Sequence, residues 1–99
     1  MKGQVKRRKL RVHVSGEMSI YTAAALKEPL LAQLEKAGAS AQLDLSEVSE
    51  FDTAGLQLVL LAERQASGRA GALRILEPSP AVREVLELCG LERLTGAAP

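Results

Sequence analysis

The stretch Phe51-Asp52-Thr53-Ala54-Gly55-Leu56 sets a hydroxyl between a carboxylate and a glycine, just ahead of a leucine-rich run. Asp52 suits a helix N-cap, because its carboxylate can accept from the otherwise unsatisfied N–H groups of residues 54 and 55. Thr53 then falls at the first helical position, where its hydroxyl can point away from a strand–helix junction. Gly55 weakens a first turn, yet it removes a side chain beside that hydroxyl, leaving room for a partner backbone or a phosphate. A phosphate on Thr53 would add about −1.5 to −2 charges at the positive end of the helix dipole, where free N–H groups are expected to meet it. Two readings stay open on the residues alone: a hydroxyl presented to a partner, or an ordinary capped helix with a tolerated glycine.

Other chemistry-bearing residues offer less. His13 is the single histidine; it lies on the polar side of a candidate strand, without partners at metal-ligand spacing. Cys89, the single cysteine, falls on the apolar stripe of a candidate helix and reads as a packed small side chain. A nucleophile–histidine–carboxylate set would have to be built on His13 alone, and neither phosphate-cradling glycine motif occurs. The acids Asp44, Glu47, Glu50 and Asp52 gather around one expected loop, as a solvated loop or as the edge of a binding surface. A receiver-type phospho-acceptor site would also need a lysine on a later strand, where the sequence offers Arg74. The expectation is a protein that is not an enzyme and needs neither metal nor cofactor.

The elements that would position Asp52 and Thr53 follow from periodicity. Residues 10–15 alternate Leu10, Val12 and Val14 against Arg11, His13 and Ser15, the pattern of a half-buried strand. A Ser-Gly turn then predicts a second short strand over 16–21. Ala23, Leu26, Leu30, Leu34 and Ala37 form one helical stripe, with Thr22 as a candidate cap and Gly38 as its stop. Pro29 either kinks this helix or starts its regular part. Residues 41–45 predict a strand, 46–52 an acidic loop, 53–67 a helix closed by Gly68, and 72–76 a strand. Ser79-Pro80 opens a last helix that ends at Gly90. The order β-β-α-β-α-β-α predicts a single-domain α/β fold: a mixed sheet of about four strands, with helices mainly on one face.

Composition sets the outer bounds. Ninety-nine residues, 46% of them hydrophobic, suffice for one core without staples. Tyr21 and Phe51 are the only aromatics, too few for a base-stacking platform, so a nucleic-acid partner is not expected. A lone cysteine fits a reducing cytoplasm, and no apolar run approaches the roughly 18 residues of a membrane span. Charge is unevenly spread. Residues 1–11 hold six basic side chains and no acid, whereas the remainder holds seven basic and twelve acidic ones. The chain is therefore divided into a basic arm over 1–8, a domain over 9–95 and a frayed tail over 96–99. Such an arm is either a solvated terminus or a contact for a polyanion.

With strand, loop and helix in this order, residues 43–69, reading LDLSEVSEFDTAGLQLVLLAERQASGR, resemble the signature of STAS domains, the fold of anti-sigma factor antagonists. GEMSIYTAAALKEPL and SPAVREVLELCGLERL resemble that fold's early strand with its first helix and its terminal helix. The resemblance implies a non-enzymatic switch protein. Thr53 matches the residue phosphorylated by a partner serine/threonine kinase of the histidine-kinase-like fold, and a phosphatase resets it. The implied partner-binding set is Asp52, Thr53, Ala54, Gly55, Leu56 and Val59, with Glu50 and Tyr21. Threonine followed by alanine also occurs in relatives outside sigma control. Chemotaxis-type signalling is one such setting. Another is a constitutive subunit of a lipid-transport ABC complex that docks on its ATPase.

Overall fold

Val12, Val14, Gly16 and Met18 turn inward while Arg11, His13, Ser15 and Glu17 face out, and this alternation continues past the serine–glycine pair. The strand expected to end at Ser15 therefore runs from Arg11 to Met18 as β2, and no separate strand occupies 16–21. Gly16 is a kink rather than a turn. Its φ is +83°, and a Cβ there would meet the carbonyl oxygen of Lys2 at 2.6 Å, so the amino-terminal segment crosses directly over it. The computed structural model describes residues 2–38, 41–66 and 73–95.

The basic segment expected as an arm supplies the first strand, β1 (Gln4–Arg8), paired antiparallel to β2 from Gln4 opposite Ser15 to Arg8 opposite Arg11. Four polar or charged residues out of five hid this strand, because an edge strand has a solvated outer side and needs little apolar patterning. The third strand, β3 (Gln42–Phe51), is twice the expected length. Its partners shift from His13–Asp44 to Ser15–Glu47, and again from Gly16–Val48 to Glu17–Glu50. Each shift places one extra β3 residue against β2, a bulge. The acidic stretch expected as a loop is thus a bulged strand.

β4 (Arg74–Leu76) completes a sheet of order β1-β2-β3-β4, with β2, β3 and β4 mutually parallel. Two crossovers stepping the same way with right-handed connections put their helices on one face. These are α1 (Ala23–Ala37) and α2 (Thr53–Ala66), which pack on each other. α3 (Pro80–Leu88) and a short 3-10 turn over Glu92–Thr95 complete the chain. The core lies between sheet and helices, with Val12, Val14, Met18, Leu43, Leu45, Val59, Ile75, Val82 and Leu86 sealed from solvent. The mixed sheet and one-sided helices expected from the sequence are what the structure contains.

Helix boundaries follow local chemistry. Ser79 caps α3 by accepting from the Val82 N–H at 3.3 Å, with Pro80 at the first helical position. Gly38 ends α1 at φ +89°. Pro29 lies inside α1 on its exposed side, where the carbonyl it leaves unpartnered can reach water. Gly68 lies outside the described residues. Cys89 departs from expectation: it is the residue that caps the carboxyl end of α3 and is exposed, as is Leu88 before it.

Candidate functional site: the start of α2

Asp52 joins two segments through separate oxygens. Its Oδ1 accepts from the N–H groups of Ala54 and Gly55 at 2.9 and 3.1 Å, which is the N-cap expected from the sequence. Its Oδ2 accepts from the Ile20 N–H at 3.0 Å, tying the β2–α1 connection to the start of α2. The Asp52 N–H also reaches the Met18 carbonyl at 3.4 Å. Burial opposes ionisation of Asp52, but the N–H groups of Ile20, Gly55 and Ala54 outweigh it and hold the carboxyl below the usual value of 3.8.

Gly55 answers the question its position raised. It is buried, and a Cβ there would lie 2.3 Å from the Met18 carbonyl oxygen and 3.0 Å from the Phe51 ring. The glycine makes room for the protein's own backbone, so it does not open a path for a visitor as expected. Leu56 and Val59, also expected at a partner surface, are 7% and 0% exposed. They face inward because the buried stripe of α2 runs through Gly55, Leu56, Leu58, Val59 and Ala62. Leu60 and Leu61 are half-buried leucines of this helix, which also carries exposed Gln57.

What remains at the surface is compact in composition. Thr53 and Glu50 are exposed, and Ala54 is half-buried. Tyr21 is 89% exposed and Ile20 71%, an uncommon degree of solvation for two neighbouring large apolar side chains. The strand expected over 16–21 hides Ile20, whose exposure is signalled by an Ile-Tyr pair immediately before a helix cap. The connection holding it is stiffened from within. Thr22 Oγ1 donates to the Glu17 carbonyl at 2.8 Å and accepts from the Ser19 N–H at 3.0 Å. Ser19 Oγ donates to Glu17 and accepts from the Tyr21 N–H at 3.1 Å.

The remaining candidates do not converge here. Asp44 lies on the sheet face away from the helices, where its Oδ2 is 3.6 Å from Arg11 and its Oδ1 accepts from the Ser46 N–H and hydroxyl at 3.0 and 2.7 Å. Burial works to raise its pKa, yet Ser46, His13 and Arg11 together leave it below the usual value. His13 Nε2 stands 3.3 Å from Glu47 Oε1. The acids expected around one loop are thus spread along a strand, and among the described residues no group of three or more could hold a metal ion. No helix among those residues is long and apolar enough to cross a membrane.

This sheet order, with an Asp-capped helix presenting a hydroxyl after a parallel strand, defines a class. The family described as "Mlab, STAS domain" matches residues 2–96, and the chain belongs to the STAS domain family. Among the proteins similar to it are anti-sigma factor antagonists. A putative antagonist named BtrV from Bordetella bronchiseptica is 35% identical over 78% of this chain and 66% of its own length. The anti-sigma-B factor antagonist of Listeria monocytogenes is 32% identical, covering 81% of this chain and 70% of that one. Among solved structures, an anti-sigma factor antagonist from Mycobacterium paratuberculosis superposes with a TM-score of 0.76 at 26% identity, covering 93% of this chain and 80% of that one. Unphosphorylated SpoIIAA superposes with a TM-score of 0.71 at 24% identity over 93% and 84% of the two chains.

Proposed function

We propose that this protein is a regulatory binding module of the anti-sigma factor antagonist kind, acting in the cytoplasm without catalysing a reaction. Its partner is a serine/threonine kinase of the histidine-kinase-like fold that doubles as an anti-sigma factor, and a phosphatase reverses the kinase's action. The observation that carries this reading is the exposure of Thr53 beside Ile20 and Tyr21, while Asp52 next to it is fully engaged. An exposed hydroxyl flanked by a fixed acid and two solvated apolar side chains suits recognition by another protein.

Phosphorylation of Thr53 would act on that surface directly. The N–H groups of residues 54 and 55 are already held by Asp52, so a phosphate there meets a carboxylate rather than free donors. Repulsion then falls on the residue that anchors Ile20, and a new double charge faces the partner. Mispaired like charge at an interface costs several kcal/mol, and each 1.4 kcal/mol is about tenfold in affinity. The test has two parts. Mass spectrometry of the chain isolated from its own cells should yield a phosphopeptide containing Thr53. Titration calorimetry against the kinase should show Thr53→Glu binding at least about tenfold more weakly than wild type. Equal affinities would refute the switch, and an unmodified Thr53 in cells would leave a constitutive subunit instead.

A further inference from the structure

We propose that the β1–β2 hairpin tip is a docking site for the anionic surface of a phospholipid bilayer. The turn holds Arg8, Lys9, Leu10 and Arg11, and Leu10 is 47% exposed between two cations. Register places Arg8, Arg11, Gln42 and Arg74 in one line across all four strands, at the end of the sheet that the hairpin closes. Lys6 stands two steps behind, level with His13 and Asp44. Together with Arg7, Arg8 and Arg11 these side chains border a shallow depression of about 400 Å³.

The tip is braced rather than loose. Leu10 accepts from the Gln42 N–H at 2.8 Å, and Arg7 donates to the Lys9 carbonyl at 3.3 Å and to Gln33 Oε1 at 3.0 Å. Arg7 is therefore structural, Arg11 is shared with Asp44, and Lys6, Arg8 and Lys9 are exposed to a passing polyanion. A solvated leucine at the apex separates the two candidate polyanions. A bilayer rewards its burial among acyl chains, while a nucleic-acid backbone does not. Base stacking is also missing from this end, since Phe51 and Tyr21 belong to the opposite one. Seven steps of β2 separate the two ends by about 23 Å. A molecule seated on its hairpin would hold Thr53 away from the lipid, open to a protein partner.

Sedimentation with vesicles tests the site on the full chain. Vesicles of phosphatidylcholine with phosphatidylserine should carry the protein down at low salt, and phosphatidylcholine alone should not. The triple change Lys6→Gln, Arg8→Gln, Lys9→Asn should weaken partitioning about a hundredfold, near fivefold per charge. A control that removes three charges elsewhere, Lys27→Gln, Lys36→Gln and Arg83→Gln, should weaken it far less. Leu10→Ser, which leaves every charge in place, should weaken it several-fold, and all variants should melt at the wild-type temperature. Failure to bind anionic vesicles, or equal losses in the two triple variants, overturns the proposal. So does tip-dependent capture by a duplex oligonucleotide that exceeds capture by the vesicles.

Discussion

Two threonines stand at two helix starts, and the fold treats them oppositely. Thr22 and Thr53 are each followed by alanine at the beginning of a helix. Thr22 turns its hydroxyl into the protein, bonding the Glu17 carbonyl and the Ser19 N–H, and makes no side-chain cap for α1. Thr53 leaves capping to Asp52 and stays exposed. Where a neighbour supplies the cap, the threonine is released from structural duty and can be read from outside. Where the connection has no such neighbour, the threonine is absorbed in holding it.

The sharpest way to break this contrast is at Gly55. A Cβ 2.3 Å from the Met18 carbonyl must push α2 off the end of β2. Gly55→Ala is expected to cost about 3 kcal/mol by overpacking, read as a lower urea midpoint, and wild-type stability would show that the close approach is not obligatory. Asp52→Ala should cost about 1–2 kcal/mol as a lost cap. It should also speed hydrogen exchange at the Ile20 amide, because that amide loses its acceptor.

The two threonines should then separate cleanly. Thr22→Ala is expected to lose about 1 kcal/mol, since it leaves a backbone donor and acceptor short of a partner. Thr53→Ala should stay within about 0.5 kcal/mol of wild type, as exposed positions do. Equal losses from both would dissolve the comparison.

The smallest expected effect is acid dependence. Asp44 and Asp52 both titrate below 3.8 in the fold, so the unfolded chain takes up protons first as pH falls. Their contribution is complete above that ordinary value and drains away as pH drops through the native ones. Asp52→Asn should flatten the acid limb of a urea-midpoint profile measured between pH 7 and pH 3, and an unchanged limb would count against this role.

Much of the fold could be read from the chain because its buried elements carry strong patterns. The stripe Leu26, Leu30, Leu34 and Ala37 and the alternation Val12, Val14 both survived into the structure. β1 could not be read, since its residues answer to pairing with β2 and not to burial. The bulges of β3 hid for a related reason: each breaks the period of two that marks a strand, so Ser46 to Phe51 imitates a loop. At the site, Asp52 was legible from capping chemistry alone. Leu56 and Val59 were misplaced because an apolar helix does not announce which of its faces is covered, and Gly55 because the carbonyl it accommodates comes from a strand 37 residues earlier.

The bulges carry a consequence for how this chain can change. β2 spans eight residues where β3 spans ten, and the two surplus residues fall before Asp52. Removing either one would draw the Asp52 carboxylate back by about 3.3 Å, one strand step, and out of reach of the Ile20 amide. Between Asp44 and Asp52 the chain should thus accept replaced letters far more readily than a shortened or lengthened count.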